Sequence, residues 1–168
     1  MKLLTENKIG YKNEKLEITW EIFEQQSNII IQDIKKRFFN QKVCLLGVAR
    51  GALPLLTYIS HQTGIRDISI IQLKMTNSDQ PFDYGNVSIL LEAIRDDYQK
   101  FIILEDIIYK GKTVERVFRE LMKKNKQVLA IYSLIIDEKF QNNIIDAKVN
   151  STLLLKSDKW VKFPWEKK

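Results

Sequence analysis

"FIILEDIIYKGKTVERV", residues 101–117, is the stretch from which the fold can be inferred most directly. It begins as an apolar run, places Glu105 and Asp106 side by side, and passes through the lone Gly111 into a segment with helical spacing of apolar residues. A short apolar run followed by a turn and a helix is typical of a buried strand in a parallel sheet. The stretch therefore predicts one strand–loop–helix unit of an α/β protein.

The remainder of the chain repeats this alternation. A helix is predicted over about residues 20–39, with Thr19 as its N-cap, because apolar residues recur there near the helical period. Further strands are predicted for "KVCLLG", "DISIIQL", "QVLAIYSLII" and "STLLLK", and helices for "ALPLLTYISHQ", which Gly64 ends, and for "KTVERVFRELMKK". "SILLEAIRDDYQ" fits either a helix or part of a long loop. Continuous apolar strands alternating with helices imply a parallel sheet covered on both faces.

Composition fits a single globular domain over residues 1–168. The chain is 45% hydrophobic and 29% charged, and its one cysteine, Cys44, leaves no pair for a disulfide and no cysteine metal site. No run is long enough to span a membrane, and the first residues are too quickly polar for a secretory signal, so a cytoplasmic location is expected. The formal net charge of +6 favours a polyanionic ligand, although the basic clusters are also compatible with a solvated surface.

Two loops that leave strand ends carry unusual chemistry: "GVARGA", residues 47–52, and "EDIIYKGKT", residues 105–113. Both are expected at the same edge of the sheet, since ligands of parallel sheets bind at the carboxyl ends of the strands. The second loop, with a glycine, basic side chains and a helix start, suits a phosphate dianion, and its adjacent carboxylates suit vicinal hydroxyls and Mg²⁺. A solvated strand end with a capped helix is the alternative interpretation. The loop is not a Walker A motif, because Asp106 stands where that motif needs glycine.

These residues resemble a known family. "FIILEDIIYKGKT" is similar to the signature of type I phosphoribosyltransferases, and "LGVARGALPLLTYIS" to their pyrophosphate loop. "DKWVKFPWE" resembles the base-binding hood of the bacterial xanthine-guanine and hypoxanthine enzymes, and "ITWEIF" and "TGIRDI" match that subgroup too. The resemblance runs from about Ile18 to Glu166. It implies a central, mostly parallel sheet flanked by helices, with a small hood made from the two ends of the chain.

The resemblance also implies a division of the chain and a role for each site residue. Residues 1–18 are expected to form an irregular or hairpin-like leader, residues 74–97 a mobile catalytic loop region, and residues 153–168 the hood. Binding of phosphoribosyl pyrophosphate (PRPP) is assigned to Ala49, Arg50, Gly51, Ala52, Glu105, Asp106, Tyr109, Lys110, Gly111, Lys112 and Thr113. In this assignment the first loop binds the pyrophosphate and has a non-proline cis peptide, Glu105 and Asp106 hold the ribose hydroxyls and Mg²⁺, and the last five residues wrap the 5′-phosphate. Base binding is assigned to Ile108, Asp137, Lys139, Trp160 and Val161, with the indole of Trp160 stacked on the base. Catalytic roles fall to Arg50 and Tyr109.

Three residues depart from the family pattern. Tyr109 stands where the purine enzymes have an aspartate that exchanges a proton with the base, and a tyrosine, which titrates at about pH 10, is a poor general base at neutral pH. Asp137 aligns with a lysine that donates to the purine O6, so either Lys139 does this work or the base is not a 6-oxopurine. Ala52 replaces a second glycine, which hardly alters the loop.

Three functional hypotheses follow from the resemblance and its departures. The first is an Mg²⁺-dependent enzyme that transfers phosphoribosyl from PRPP to hypoxanthine, guanine or xanthine in nucleotide salvage. The second is a PRPP- or nucleotide-responsive regulator or a nucleic-acid-binding protein. The third is an enzyme for an amino-substituted base, which Asp137 would favour. Self-association as a dimer or tetramer is expected from the resemblance, and no membrane association.

Overall fold

The computed structural model describes residues 11–12, 15–75, 87–89, 94–138, 140, 148–156 and 160–166. Within these ranges the elements in chain order are β1 (Tyr11–Lys12), β2 (Lys15–Glu17), α1 (Trp20–Phe38), β3 (Cys44–Ala49), α2 (Leu53–Thr63), β4 (Ile68–Met75), β5 (Val87–Ile89), β6 (Lys100–Ile108), α3 (Lys112–Lys123), β7 (Gln127–Asp137), β8 (Val149–Leu155) and β9 (Trp160–Lys162). The helices of these described ranges lack the combination of length and apolar character that a membrane crossing requires.

The central sheet has the strand order β5-β4-β3-β6-β7-β8. Five of these strands are parallel, and β5 runs antiparallel to β4 at the edge. The chain passes from β3 to β4 on one side and later returns to β6 on the other side of β3. The strand order therefore reverses around β3, and the loops that follow β3 and β6 leave neighbouring strands at the point where α/β sheets form a binding crevice.

Helices cover both faces of this sheet, as the continuous apolar strands predicted. Helices α1 and α2 pack on one face, where Phe23, Ile34 and Leu56 belong to the larger core cluster. Helix α3 packs on the other face, and its inward side consists of Val114, Val117, Phe118 and Leu121, all buried. These positions recur at the spacing of one helical face, so the pattern alone predicts which side of α3 is buried.

The helix boundaries follow their capping residues. The Oγ1 atom of Thr19 accepts a hydrogen bond of 3.2 Å from the backbone N–H of Ile22, which satisfies one of the donors that a helix start leaves free. At the end of α2, Gly64 is left-handed (φ 78°), and its N–H donates to the carbonyl of Ser60. Both predicted caps are confirmed.

A second, three-stranded sheet joins the two ends of the described chain in the order β1-β2-β9. Strands β1 and β2 form the hairpin expected of the leader, and β2 pairs with β9 in parallel, with Leu16 opposite Val161. This sheet is the predicted hood. Residues 153–155, which the sequence division assigned to the hood, are the last three residues of β8 in the central sheet.

The predicted end of the strand that carries the two acids was wrong. Strand β6 continues past the two acids to Ile108, because Ile107 and Ile108 still pair with β7, so the carboxylates lie inside the strand and not at its end. Of the two interpretations left open for residues 88–99, the helical one does not hold for the described residues: 88 and 89 belong to the edge strand Val87–Ile89, and 94–99 are not helical. Of the predicted catalytic loop region, residues 76–86 and 90–93 lie outside the described residues.

Candidate active site

The loop after β3 touches strand β6 at Asp106. A Cβ atom built on Gly51 would lie 2.5 Å from Cγ and 2.7 Å from Oδ1 of Asp106, closer than real Cβ contacts come. Glycine is therefore the residue that lets the backbone of the β3 loop approach the carboxylate of β6. The peptide bond between Ala49 and Arg50 is cis, as the resemblance implied, and the Arg50 side chain is exposed at the same edge.

The two acids form a buried pair. Glu105 is 8% exposed, and its Oε2 atom has no hydrogen-bond partner among the described residues. Burial, helped by the charge of Asp106 and by a hydrogen bond between the two carboxyl groups, raises the pKa of Glu105 well above its ordinary value. Burial also raises the pKa of Asp106 to about 6, although the backbone N–H of Ile107, which donates to Oδ1 at 2.9 Å, opposes the shift. The pair therefore holds a proton at a pH where exposed carboxyl groups have lost theirs.

This donor set fits a magnesium ion. Two adjacent carboxylates, one with an unpartnered buried oxygen, supply the oxygen ligands that Mg²⁺ prefers, and a bound cation would take the place of the shared proton. The described residues contain no group of three or more His, Cys, Asp or Glu side chains that could hold a metal. The remaining ligands would therefore come from water and from oxygen atoms of the substrate, which is how Mg²⁺ is commonly bound beside phosphates.

The second loop turns into α3 through Gly111. This residue is buried, left-handed (φ 75°, ψ 0°) and occupies the N-cap position, where no side chain caps the helix. Its carbonyl accepts from the N–H of Glu115 at 2.9 Å and so starts the helix. Lys110 and Lys112 are exposed on either side of it, and Thr113 is half-buried. A glycine turn, a helix N-terminus and two cations at one place suit an anion.

The residues assigned to base recognition occupy different environments. Tyr109 is half-buried and packs against the larger core cluster. Ile108 is 2% exposed within the cluster beneath α3, so a contact with a base would have to come from its backbone. Asp137 is half-buried as the last residue of β7. Lys139 lies outside the described residues.

The hood brings its own groups toward the acid pair. Trp160 is 43% exposed at the start of β9, and Val161 is buried against β2. Glu166, six residues after Trp160, accepts a hydrogen bond from the backbone N–H of Phe163 at 3.0 Å. The negative charge of Glu166 is one of the causes that raise the pKa of Asp106. The hood therefore ends close to the carboxylates.

Aromatic residues hold the hood against the first helix. The ring of Trp165 stacks on Phe163 (centroids 4.8 Å apart) and meets the edges or faces of Phe23 and Trp20 at 5.6 and 6.1 Å. Trp20 and Trp165 therefore act as packing residues between the hood and α1. A cavity of about 600 Å³ beside this cluster is lined by Trp20, Phe23, Leu53, Pro54, Thr57, Tyr58 and His61. It contains no carboxylate, and His61 is exposed at its rim, as expected of a surface residue.

Sequence reasoning missed two neighbours of the site. Phe140 packs against Gly111, and Glu166 lies near Asp106. Glu166 belongs to the quoted hood motif, so its proximity had a signal in the resemblance. Phe140 had none, because its contact depends on how the chain turns after β7.

Two glycine-containing loops at the strand switch point, a buried acid pair and a basic helix start define the class: an α/β protein with polar groups gathered at the carboxyl edge of its sheet. Residues 17–167 match the family model described as phosphoribosyl transferase domain. The match covers most of the chain, and the protein belongs to this family.

Solved structures share the fold. A purine phosphoribosyltransferase from Pyrococcus horikoshii is 24% identical with a TM-score of 0.72, over 92% of this chain and 95% of that one. A xanthine-guanine-hypoxanthine phosphoribosyltransferase from Helicobacter pylori is 19% identical with a TM-score of 0.69, over 90% and 94%. A hypothetical protein from Neisseria gonorrhoeae with bound ppGpp is 15% identical with a TM-score of 0.70, over 94% and 92%. No curated protein sequence matches the chain.

Proposed function

We propose that this protein transfers the 5-phosphoribosyl group of PRPP to a 6-oxopurine base and releases pyrophosphate, as a cytoplasmic enzyme of purine salvage. The observation that carries the proposal is the contact between Gly51 and the carboxylate of Asp106. It brings an exposed arginine, a buried acid pair and an uncapped helix start to one edge of the sheet. PRPP has the matching groups: a pyrophosphate, two ribose hydroxyls and a 5′-phosphate.

In the proposed complex each part of PRPP meets one segment. Arg50 and the backbone of residues 49–52 bind the pyrophosphate, and Tyr109, Lys110, Gly111, Lys112 and Thr113 bind the 5′-phosphate. Glu105 and Asp106 accept from the ribose hydroxyls. Because the sugar is held at three points, its C1 atom faces the base. The entropy cost of bringing the two reactants together is then met on binding and does not add to the barrier of the chemical step.

Magnesium, when bound to the acid pair, would neutralise the pyrophosphate and improve it as a leaving group. The chain's own residues would orient the sugar and the base. During transfer the bond from C1 to the pyrophosphate oxygen breaks and a bond from C1 to a base nitrogen forms. The indole of Trp160 stacks on the base, and backbone groups around Val161 contact its edge.

The proton of the attacking nitrogen is the point at which this chain differs from its family. Tyr109 stands in place of the usual aspartate, and a phenol at neutral pH accepts a proton poorly. In the proposal it hydrogen-bonds a ring nitrogen, and the proton passes to water or to the departing pyrophosphate. Turnover is therefore expected to be slower than in an enzyme with an aspartate at this position.

A base panel tests the proposal directly. Purified protein with PRPP and Mg²⁺ is incubated with hypoxanthine, guanine, xanthine and adenine, and nucleotide is measured by chromatography. A nucleotide formed from one of the first three bases is the expected result. PRPP binding without nucleotide from any base would count against catalysis.

A nucleotide-responsive regulator is the second candidate, and two observations favour it. Tyr109 stands at the position of the family's general base and packs against the larger core cluster. The Neisseria gonorrhoeae protein of the same fold has ppGpp bound. The net charge of +6 would add salt-sensitive affinity for nucleic acid. Nucleic-acid binding at low salt that changes when PRPP or guanine nucleotide is added would support this candidate, and its absence would remove it.

Asp137 supports a variant of the first proposal. At the end of β7 its carboxylate could accept from an exocyclic amine, where a lysine would donate to a carbonyl. Preference for adenine over hypoxanthine in the base panel would establish this variant. Self-association as a dimer or tetramer belongs to the proposal by family resemblance, and light scattering coupled to gel filtration measures it.

A further inference from the structure

Phe140 lies directly against the loop that the proposed function assigns to the 5′-phosphate. A Cβ atom built on Gly111 would lie 2.8 Å from Cδ2 and 3.3 Å from Cζ of the Phe140 ring, and closer still to Cε2. The ring therefore covers the side of Gly111 on which any other amino acid carries its side chain. Gly111 is itself buried, so this contact closes one side of the turn.

The contact with Phe140 restricts the backbone of Gly111, the residue at which the loop turns into α3. Gly111 is left-handed and has no side-chain cap, so the position of the first N–H groups of α3 depends on its φ and ψ angles. A ring packed on its Cα atom limits how far these angles can change. Anion binding at a helix start requires those N–H groups to converge on one point, and loosening the turn would spread them.

Phe140 also belongs to the strand end that the proposal places near the base. Its backbone N–H donates to the carbonyl of Asp137 at 3.0 Å, and the next residue after Asp137, Glu138, donates to Leu155 of β8 at 2.9 Å. The turn after β7 is thus tied to the sheet. Because β6 and β7 are neighbours, with Ile108 opposite Ile136, the ring bridges the loops that leave two adjacent strands.

We propose that Phe140 is a positioning residue that holds the phosphate loop, residues 109–113, in its anion-binding conformation and ties it to the strand end carrying Asp137. This inference rests on the proposed function of that loop. It adds a residue from a different part of the chain to those assigned to PRPP, and the role of this residue is to hold the loop. A residue that only filled the core would affect stability and leave affinity unchanged.

Two probes separate the loops. Ribose 5-phosphate reports on the phosphate loop, and magnesium pyrophosphate reports on the loop of Arg50, whose Gly51 faces Asp106. With Phe140→Ala we expect the dissociation constant for ribose 5-phosphate to rise about tenfold or more, since a misplacement of about 1 Å in a binding constellation has effects of this size. The constant for pyrophosphate should stay within about twofold of wild type. Phe140→Leu, which keeps an apolar contact and preserves folding better, should lie between Phe140→Ala and wild type.

Phe118→Leu is the matched control. Phe118 is a buried phenylalanine of α3 in the cluster against which Phe140 packs. The three heavy atoms nearest to a Cβ built on Gly111 all belong to Phe140, and none belongs to Phe118. Phe118→Leu should lower the melting temperature and leave both dissociation constants unchanged. Unchanged ribose 5-phosphate affinity in both Phe140 variants would overturn the inference, as would an equal loss in Phe118→Leu. Wild-type protein that binds pyrophosphate but no ribose 5-phosphate would refute the proposed role of the loop itself, and this result is distinguishable because it needs no variant.

Discussion

Replacing Gly51 with alanine would place a methyl group where the carboxylate of Asp106 now lies. The new Cβ would be 2.5 Å from Cγ and 2.7 Å from Oδ1 of that side chain. The carboxylate cannot simply rotate away, because it accepts from the Ile107 N–H and from the buried Glu105. Overpacking of this kind costs about 1–3 kcal/mol. In a chain of this length about 1 kcal/mol corresponds to 2–4 °C, so the melting temperature should fall by roughly 2–12 °C.

A double-mutant cycle identifies the contact as the cause. Asp106→Ala removes the carboxylate, so Gly51→Ala should cost little in that background, with a coupling energy of about 1 kcal/mol or more. Denaturant unfolding of the four proteins measures it. Gly64→Ala is the control: a Cβ there meets nothing within 4 Å, and its cost comes from the left-handed backbone (φ 78°) alone. That cost should add to Asp106→Ala within about 0.5 kcal/mol.

The reasoning would be refuted by an additive cycle. If Gly51→Ala lowers stability equally with and without the Asp106 carboxylate, the loop after β3 does not touch Asp106 in solution. An unchanged melting temperature for Gly51→Ala would lead to the same conclusion.

Three further outcomes are expected. The free energy of unfolding of the metal-free protein should fall as pH rises from about 4 to 7. Burial raises the pKa of Asp106 from 3.8 to about 6 and also raises the pKa of Glu105. In this pH range the folded state therefore holds protons that the unfolded chain has released. The fall should be shallower in Asp106→Asn, and equal slopes would contradict this origin. Tyr132→Phe should lower stability by about 1–3 kcal/mol in urea titrations, because the phenol donates to Asp33 at 2.6 Å, and a loss below about 0.5 kcal/mol would mean that the bond contributes little. Tyr109→Asp should raise turnover of 6-oxopurines in a steady-state assay, and a lower rate would show that the phenol serves the reaction.

The parts of the fold that depend on local pattern were predictable. The buried face of α3 follows from the spacing of Val114, Val117, Phe118 and Leu121, and the start of α1 follows from the hydroxyl of Thr19. Each depends on interactions within one helix or between a helix and an apolar sheet face, so the sequence pattern contains the information.

The end of β6 was not predictable in the same way. Two adjacent acids read as a strand end, yet pairing of Ile108 with Ile136 carries the strand beyond them and buries Glu105. The end was placed by the rule that carboxylates avoid the buried part of a strand, and Glu105 does not follow this rule. Departures of this kind are expected at functional sites. Strand β5 similarly depends on pairing with β4, which no local propensity shows.

The convergence of the two segments at one edge of the sheet was predictable, but the contacts between them were not. Sequence indicated that Arg50 and the acid pair meet at one edge, whereas the approach of Gly51 to Asp106 and of Phe140 to Gly111 joins residues far apart in the chain. Such contacts depend on the complete packing of the loops. The roles assigned to all the site residues remain predictions, and Lys139 and residues 76–86 also lie outside the described ranges.

Calorimetric titration of PRPP in the presence of Mg²⁺ tests most directly whether the Arg50 loop, the acid pair and the start of α3 form one site for an activated sugar phosphate. We expect saturable heat with one site per chain that weakens strongly in Arg50→Ala and when Mg²⁺ is withheld. No heat from the folded wild-type protein, or equal binding after Arg50→Ala and without the metal, would contradict it.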